Sequence, residues 1–194
     1  MAENDGQECT REIIKKIGVL GEPEVGKNEL VKFVDESKSM NDFSDHYVNA
    51  IGVGVYKRTS KVELPKHGGL YKLKFMLWDM TGQQGFDDIR KTYCEAAEGA
   101  IVVGDSTRTE TIDAMPKWAN YLTEKVGEVP IVFAVNKIDL VEQERHQELR
   151  ERARKAIGYS GRIFLTSAKT GKNASEPFKC MDRKIAEDMA KRYE

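Results

Sequence analysis

Short apolar runs rich in β-branched residues alternate with helix-period segments from about residue 13 to residue 190. "KKIGVL" (residues 15–20) reads as a buried strand running into a glycine-containing loop, and a helix is expected from Gly26 with Leu30, Val31 and Val34 facing inward. "IGVGVYKRT" and "YKLKFMLWD" read as two strands joined through "ELPKHGG", whose proline and glycines suit a hairpin connection. "AIVVGD" and "PIVFAVN" are continuous apolar runs bounded by turns, the pattern of strands covered on both faces. "GRIFLTS" is the sixth strand. Between them, Ile112, Met115, Trp118, Leu122 and Val126 form one helical stripe, and Phe178, Met181, Ile185 and Met189 another. Pro116 would break a helix interior, so the first stripe requires that proline in a first turn, with Asp113 as the cap. "ERHQELRERARK" is a charge-rich helix with a solvated face.

Strand and helix in alternation predict a three-layer α/β domain built on a six-stranded sheet. Residues 1–12 are polar and expected to form a loose, flexible tail, leaving residues 13–194 as one domain. A chain of 194 residues is long enough for one proper core. Net charge is −1, which excludes a global basic field for nucleic acid and a polybasic membrane signal. Cys9, Cys94 and Cys180 lie far apart without C-x-x-C spacing, so neither a disulfide framework nor structural zinc is expected, and a reducing cytoplasm fits. There is no apolar run approaching the roughly 20 residues of a membrane helix, and no glycine after Met1 or cysteine near "AKRYE" for a lipid anchor. Any membrane contact is therefore expected to come through a partner.

Ligands of such sheets bind beyond the carboxyl ends of the strands, and four loops there carry suggestive chemistry. "GEPEVGKN" (residues 21–28) fits G-x-x-x-x-G-K between a strand and a helix, lacking only the final Ser or Thr. Backbone N–H groups of Glu24, Val25, Gly26, Lys27, Asn28 and Glu29 can wrap phosphate oxygens there, with Lys27 as a point charge on the β- and γ-phosphates. In "WDMTGQQ", Asp79 can orient Mg²⁺ through its water, Gly82 offers an N–H to a γ-phosphate, and Gln83 can position an attacking water. "NKID" brings Asn136, Lys137 and Asp139. The carboxylate can accept from the N1–H and N2 amine of guanine together, a donor pair that adenine lacks, while Lys137 lies along the base. In "TSAK", Ser167 precedes Ala168, whose N–H can address guanine O6, and Lys169 can flank the base. Each motif alone has a bland explanation as a turn, but together they describe one guanine-nucleotide site.

The combination resembles the Ras superfamily of small GTPases, most closely its Rab-like members, over about residues 13–191. The resemblance implies a P-loop NTPase G domain with a mostly parallel sheet, about five flanking helices and GTP or GDP at the strand ends. It also matches Phe43 to the aromatic that packs on guanine and Tyr47 to a first-switch tyrosine, and implies effector or regulator proteins at the switch regions. Three departures cluster on phosphate and metal chemistry. Asn28 stands where a metal-binding Ser or Thr is usual, Ala50 in "YVNAIG" replaces the first-switch threonine, and Pro23 and Glu24 occupy loop positions that are usually small. The Asn28 amide oxygen can still ligate a hard cation, but Glu24 brings a carboxylate to the phosphate rim. The expectation is a GTP/GDP switch with weakened Mg²⁺ binding and slow hydrolysis, catalytic through Gln83 and Lys27. The alternative is a non-hydrolysing nucleotide-binding scaffold or interaction module. His46, His67 and His146 are scattered and expected at the surface.

Overall fold

The computed structural model describes residues 11–35, 53–64, 69–80, 94–158 and 161–192, with the side chains of residues 78–80 and of some residues at element ends outside that description. One six-stranded sheet carries the chain: β1 (Arg11–Leu20), β2 (Val53–Leu64), β3 (Gly69–Met80), β4 (Gly99–Asp105), β5 (Ile131–Asn136) and β6 (Ile163–Leu165). The order is β2-β3-β1-β4-β5-β6. Every neighbouring pair is parallel except the β2–β3 hairpin. The expected mostly parallel α/β sheet is what forms.

The period of two along each strand divides the core. Ile17, Val19, Leu73, Phe75, Ile101, Val103, Val132 and Ala134 face one layer, made by α1 (Lys27–Val34) and α5 (Glu176–Arg192). Ala100, Val102, Phe133 and Val135 face the other, beneath α2 (Thr109–Asp113), α3 (Met115–Val126) and α4 (Arg145–Ile157). The predicted stripes are core: Phe178, Met181, Ile185 and Met189 are buried in the first layer, and Ile112, Met115, Trp118 and Leu122 in the second. All seven residues of β4 are buried, which explains its uninterrupted apolar run.

The sequence reading is corrected at three places. The stripe at 112–126 is two helices, because Pro116 has no N–H for a bond back to residue 112 and its ring collides with that carbonyl. The chain restarts at Met115 with Ala114 as the N-cap and no side-chain bond to it. Asp113 does not cap; its carboxylate takes Arg152 Nε at 2.9 Å and Nη2 at 2.5 Å, tying α2 to α4. β1 begins at Arg11, four residues before its apolar run, with Arg11 opposite Tyr71 and Glu12 opposite Lys72. The hairpin strands are also longer than their motifs, pairing through Leu64 and Gly69. Half of that hairpin is fastened by charge: Arg58 on β2 meets Asp182 on α5 through two bonds, at 2.5 and 2.7 Å, and Ser60 Oγ donates to the same carboxylate at 2.9 Å. Residues 1–10 of the expected tail lie outside the described residues. No helix among the described residues is long and apolar enough to cross a membrane.

Candidate functional site

β1, β3, β4, β5 and β6 run parallel and so end on one side of the sheet, where the described loops after β1, β4, β5 and β6 open. The loop after β1 is shaped by glycine at two points. Gly21 has φ 144° and packs so closely that an added Cβ would lie 2.2 Å from Val103 O. Gly26 has φ 89°, caps α1, and would put a Cβ 2.4 Å from the Asn136 amide nitrogen. Lys27 is buried and its ammonium donates to Gly21 O at 3.1 Å and Glu22 O at 2.9 Å, closing the loop on itself.

The next three carbonyls are drawn outward by other loops. Arg108 donates to Pro23 O at 2.6 Å, Lys137 to Glu24 O at 2.6 Å, and Asn136 Nδ2 to Val25 O at 3.1 Å. A trans peptide points its N–H opposite its carbonyl, so pulling three successive carbonyls one way turns the N–H groups of Glu24, Val25 and Gly26 the other way. Those groups, with the N–H groups of the first turn of α1, for which a helix supplies no acceptor of its own, make an arrangement, or nest, able to receive an anion. Glu22 is turned aside by the Trp118 indole N–H, 3.0 Å from its carboxylate. Glu24 is exposed and has φ 63°, a left-handed conformation ordinarily left to glycine.

The loops after β5 and β6 interlock. Asn136 is buried; its Oδ1 accepts from Thr166 Oγ1 at 3.2 Å and from the Ala168 N–H at 3.1 Å, while its Nδ2 holds the first loop. Asp139 accepts from Ser167 Oγ at 2.6 Å. Lys137, at φ 64°, sends its ammonium both to Glu24 O and to Asp105 at 2.7 Å. Asp105 closes buried β4 and also takes the Thr107 N–H at 2.8 Å and Oγ1 at 2.7 Å. Burial works to raise its pKa, but the Lys137 and Thr107 bonds outweigh that and hold the carboxyl below its usual range. Between these loops lies a cavity of about 570 Å³, lined by Glu24, Gly26 and Glu29 on one side and by Asn136, Lys137, Asp139, Leu140, Ala168 and Lys169 on the other. That volume falls in the usual range for a small-molecule site.

The structure thus brings together the expected residues of three loops: 24–29, 136–139 and 167–169. Phe43, Gly82 and Gln83, with Tyr47 and Ala50, lie outside the described residues. Asp79 is paired in β3 opposite Val19 and Gly54, but its side chain is not described. Sequence reasoning missed Asp105, Arg108 and Trp118 as supports of the first loop. Asp105 had a signal, since an acidic residue at the end of an apolar strand repeats the placement of Asp79.

Comparison with known proteins agrees with this geometry. The Ras family profile matches residues 16–187. The chain belongs to the Ras family. Among Rab-type relatives, it is 29% identical to the GTP-binding protein ypt5 of Schizosaccharomyces pombe over 187 residues, 95% of this chain and 84% of that one. It is 33% identical to the mouse (Mus musculus) Ras-related protein Rab-32 over 174 residues, 86% of this chain and 73% of that one. It is 30% identical to mouse Ras-related protein Rab-21, over 89% of this chain and 73% of the relative. This is a Rab-like small GTPase of the Ras superfamily, a family that binds guanine nucleotides and Mg²⁺.

Of the two expected cation ligands of this Ras-family protein, Asn28 and Asp79, only Asn28 has a described side chain. Position 50 has no side-chain oxygen, and the Asn28 amide oxygen already accepts the Tyr56 hydroxyl at 2.5 Å. Among the described residues there is no group of three or more histidine, cysteine or acidic side chains placed to hold a metal ion.

Proposed function

We propose that this protein is a guanine-nucleotide switch that hydrolyses GTP slowly and depends little on Mg²⁺. The observation that carries the reading is the shared cavity: Glu24, Gly26 and Glu29 of the first loop line the same space as Asn136, Lys137 and Asp139. In this reading Asp139 accepts from guanine N1–H and the N2 amine, with Ser167 fixing its orientation. Asn136 holds the two loops in register. The Ala168 N–H, 3.1 Å from Asn136 Oδ1, turns part of its hydrogen bonding to guanine O6. Lys137 and Lys169 flank the base, and Phe43 packs on its face. Phosphate oxygens sit in the nest, where Lys27 and the N–H groups from Glu24 to Glu29 offset their charge.

Hydrolysis is in-line attack of water on the γ-phosphorus, with departure of GDP. Gln83 orients the water, the Gly82 N–H bonds a γ-oxygen, and Lys27 stabilises charge developing toward the β–γ bridge. Losing one preorganised charge-stabilising group typically costs about 10²–10³ in rate, which makes the expected reaction slow. Effector or regulator proteins dock at the switch regions, and a charge supplied by one of them would accelerate the step. The described cysteines Cys94 and Cys180 form no disulfide, in keeping with a cytoplasmic setting.

Single-turnover hydrolysis on nucleotide-stripped protein tests the reading. Slow phosphate release that disappears in Gln83→Leu is expected. Bound GTP persisting intact for many hours in the unmodified protein would instead favour a non-hydrolysing interaction module, the reading to which Ala50 and the engaged Asn28 point.

A further inference from the structure

Tyr56 stands on β2, opposite Leu77 of β3, partly buried against the core layer that α1 helps to form. Its hydroxyl reaches across to Asn28, the second residue of α1, and donates to the amide oxygen at 2.5 Å. A second tie lies one helix-length away: the Lys57 N–H, next along β2, donates to the Asp35 carboxylate at 3.2 Å, and Asp35 is the residue that ends α1. The eight-residue helix carrying the phosphate nest at its start is therefore fastened to β2 at both ends.

We propose that Tyr56 is a positioning residue that takes over, through Asn28, the task a cation performs at this point in the family. The inference rests on the guanine-nucleotide reading above and adds a residue that reading does not use. The physical argument is one of competition for an atom. An amide oxygen has two lone-pair directions, and a short O–H donor fills one of them with a partly positive hydrogen. Mg²⁺ requires oxygen ligands at about 2.0–2.1 Å in near-ideal octahedral geometry and gives up water reluctantly. It gains little from an oxygen that a phenol already polarises and orients. The hydroxyl bond fixes the side chain of Asn28 and the first turn of α1 without any ion, so the N–H groups of the nest are in place before a nucleotide arrives. That preorganisation is what metal bridging otherwise supplies when it joins helix to phosphate.

Two variants separate this from a merely structural contact. In Tyr56→Phe the amide oxygen is released, so the first turn of α1 loses its ion-free anchor but offers a ligand to Mg²⁺, while the Lys57–Asp35 tie at the other end remains. In Asn28→Ala the anchor and the ligand disappear together. Dissociation of fluorescently labelled GDP, followed with excess EDTA and with millimolar Mg²⁺, reads both. For the unmodified protein the two rates are expected to agree within about threefold. In Tyr56→Phe the rate in EDTA should rise about tenfold, the worth of one hydrogen bond, and Mg²⁺ should restore most of the loss. Asn28→Ala should release GDP faster in both conditions without Mg²⁺ rescue. Equal rescue in both variants, rescue in neither, or a strongly Mg²⁺-dependent unmodified protein would overturn the assignment while leaving nucleotide binding intact. A protein that takes up no labelled GDP at all would contradict the guanine-nucleotide reading itself, and this inference with it.

Discussion

Where β5 ends, three polar residues of the candidate base site are held by partners from other loops: Asn136 by Thr166 and Ala168, Lys137 by Asp105, Asp139 by Ser167. Where β1 ends, the backbone is equally well held, but the side chains depart from a simple phosphate cradle. Glu24 occupies a left-handed position, and Asn28 answers to Tyr56. The base side ties loop to loop, so its residues cannot drift without loosening three loops. The phosphate side is built differently. Its N–H groups come from the backbone, which tolerates any side chain that leaves the turn intact, so Pro23, Glu24 and Asn28 could change while the nest survived. Backbone-made sites permit such substitution, and side-chain-made sites resist it.

The contrast can be broken hardest at Asn136. Asn136→Ala removes three bonds, two of them buried, and strands Val25 O and the Ala168 N–H; a stability loss of about 3 kcal/mol is expected by urea unfolding, together with loss of guanine-nucleotide binding. A variant that stayed stable and still bound GDP would show that the loops do not depend on this hub. Asp105→Asn should cost less, about 1–2 kcal/mol, because Lys137 keeps Glu24 O and is itself partly exposed. Its pH dependence has a definite sign. The Asp105 pKa is depressed on folding, so its contribution is present above the ordinary carboxylate value near ~3.9 and is lost as pH falls through the lowered folded value. The stability gap between Asp105→Asn and the unmodified protein should therefore be constant from neutral pH to about 5 and close in stronger acid. The smallest effect is expected at the phosphate end. Glu24→Gly relieves a left-handed non-glycine residue and removes a rim carboxylate, giving about 1 kcal/mol of added stability and several-fold tighter GDP binding by calorimetry. A loss of affinity would mean that the carboxylate makes a favourable contact in the complex.

Much of the fold was legible because its signals are local. The buried runs of β4 and β5 and the core stripe of α5 each carry their own period, and a motif following a strand in a parallel sheet is placed by topology. That Asn136, Lys137 and Asp139 share one loop was legible for the same reason, since they lie within four residues; the structure places all three on the cavity. What the sequence withheld was pairing across distance. Tyr56 and Asn28 are 28 residues apart, Trp118 and Glu22 96, Arg58 and Asp182 124. No periodicity links such positions; only the fold does. The polar stretches of β2 and β3 also hid how far the hairpin runs, because strands with a solvated face dilute the apolar pattern. At the 112–126 stripe the apolar spacing was right, but the backbone rule at Pro116 prevailed over it.

The central claim is that the cavity beside Asp139 takes guanine and adjoins a phosphate nest that does not rely on a cation. Its most direct test is calorimetric titration of nucleotide-stripped protein with GDP and with ADP, each in Mg²⁺ and in EDTA. The account predicts GDP binding in both conditions with affinities within about tenfold, and ADP weaker by about 10³ or more, because the paired donors that Asp139 accepts are missing. Comparable binding of ADP would contradict the guanine assignment, and GDP binding that collapses by orders of magnitude in EDTA would contradict the cation-independent nest.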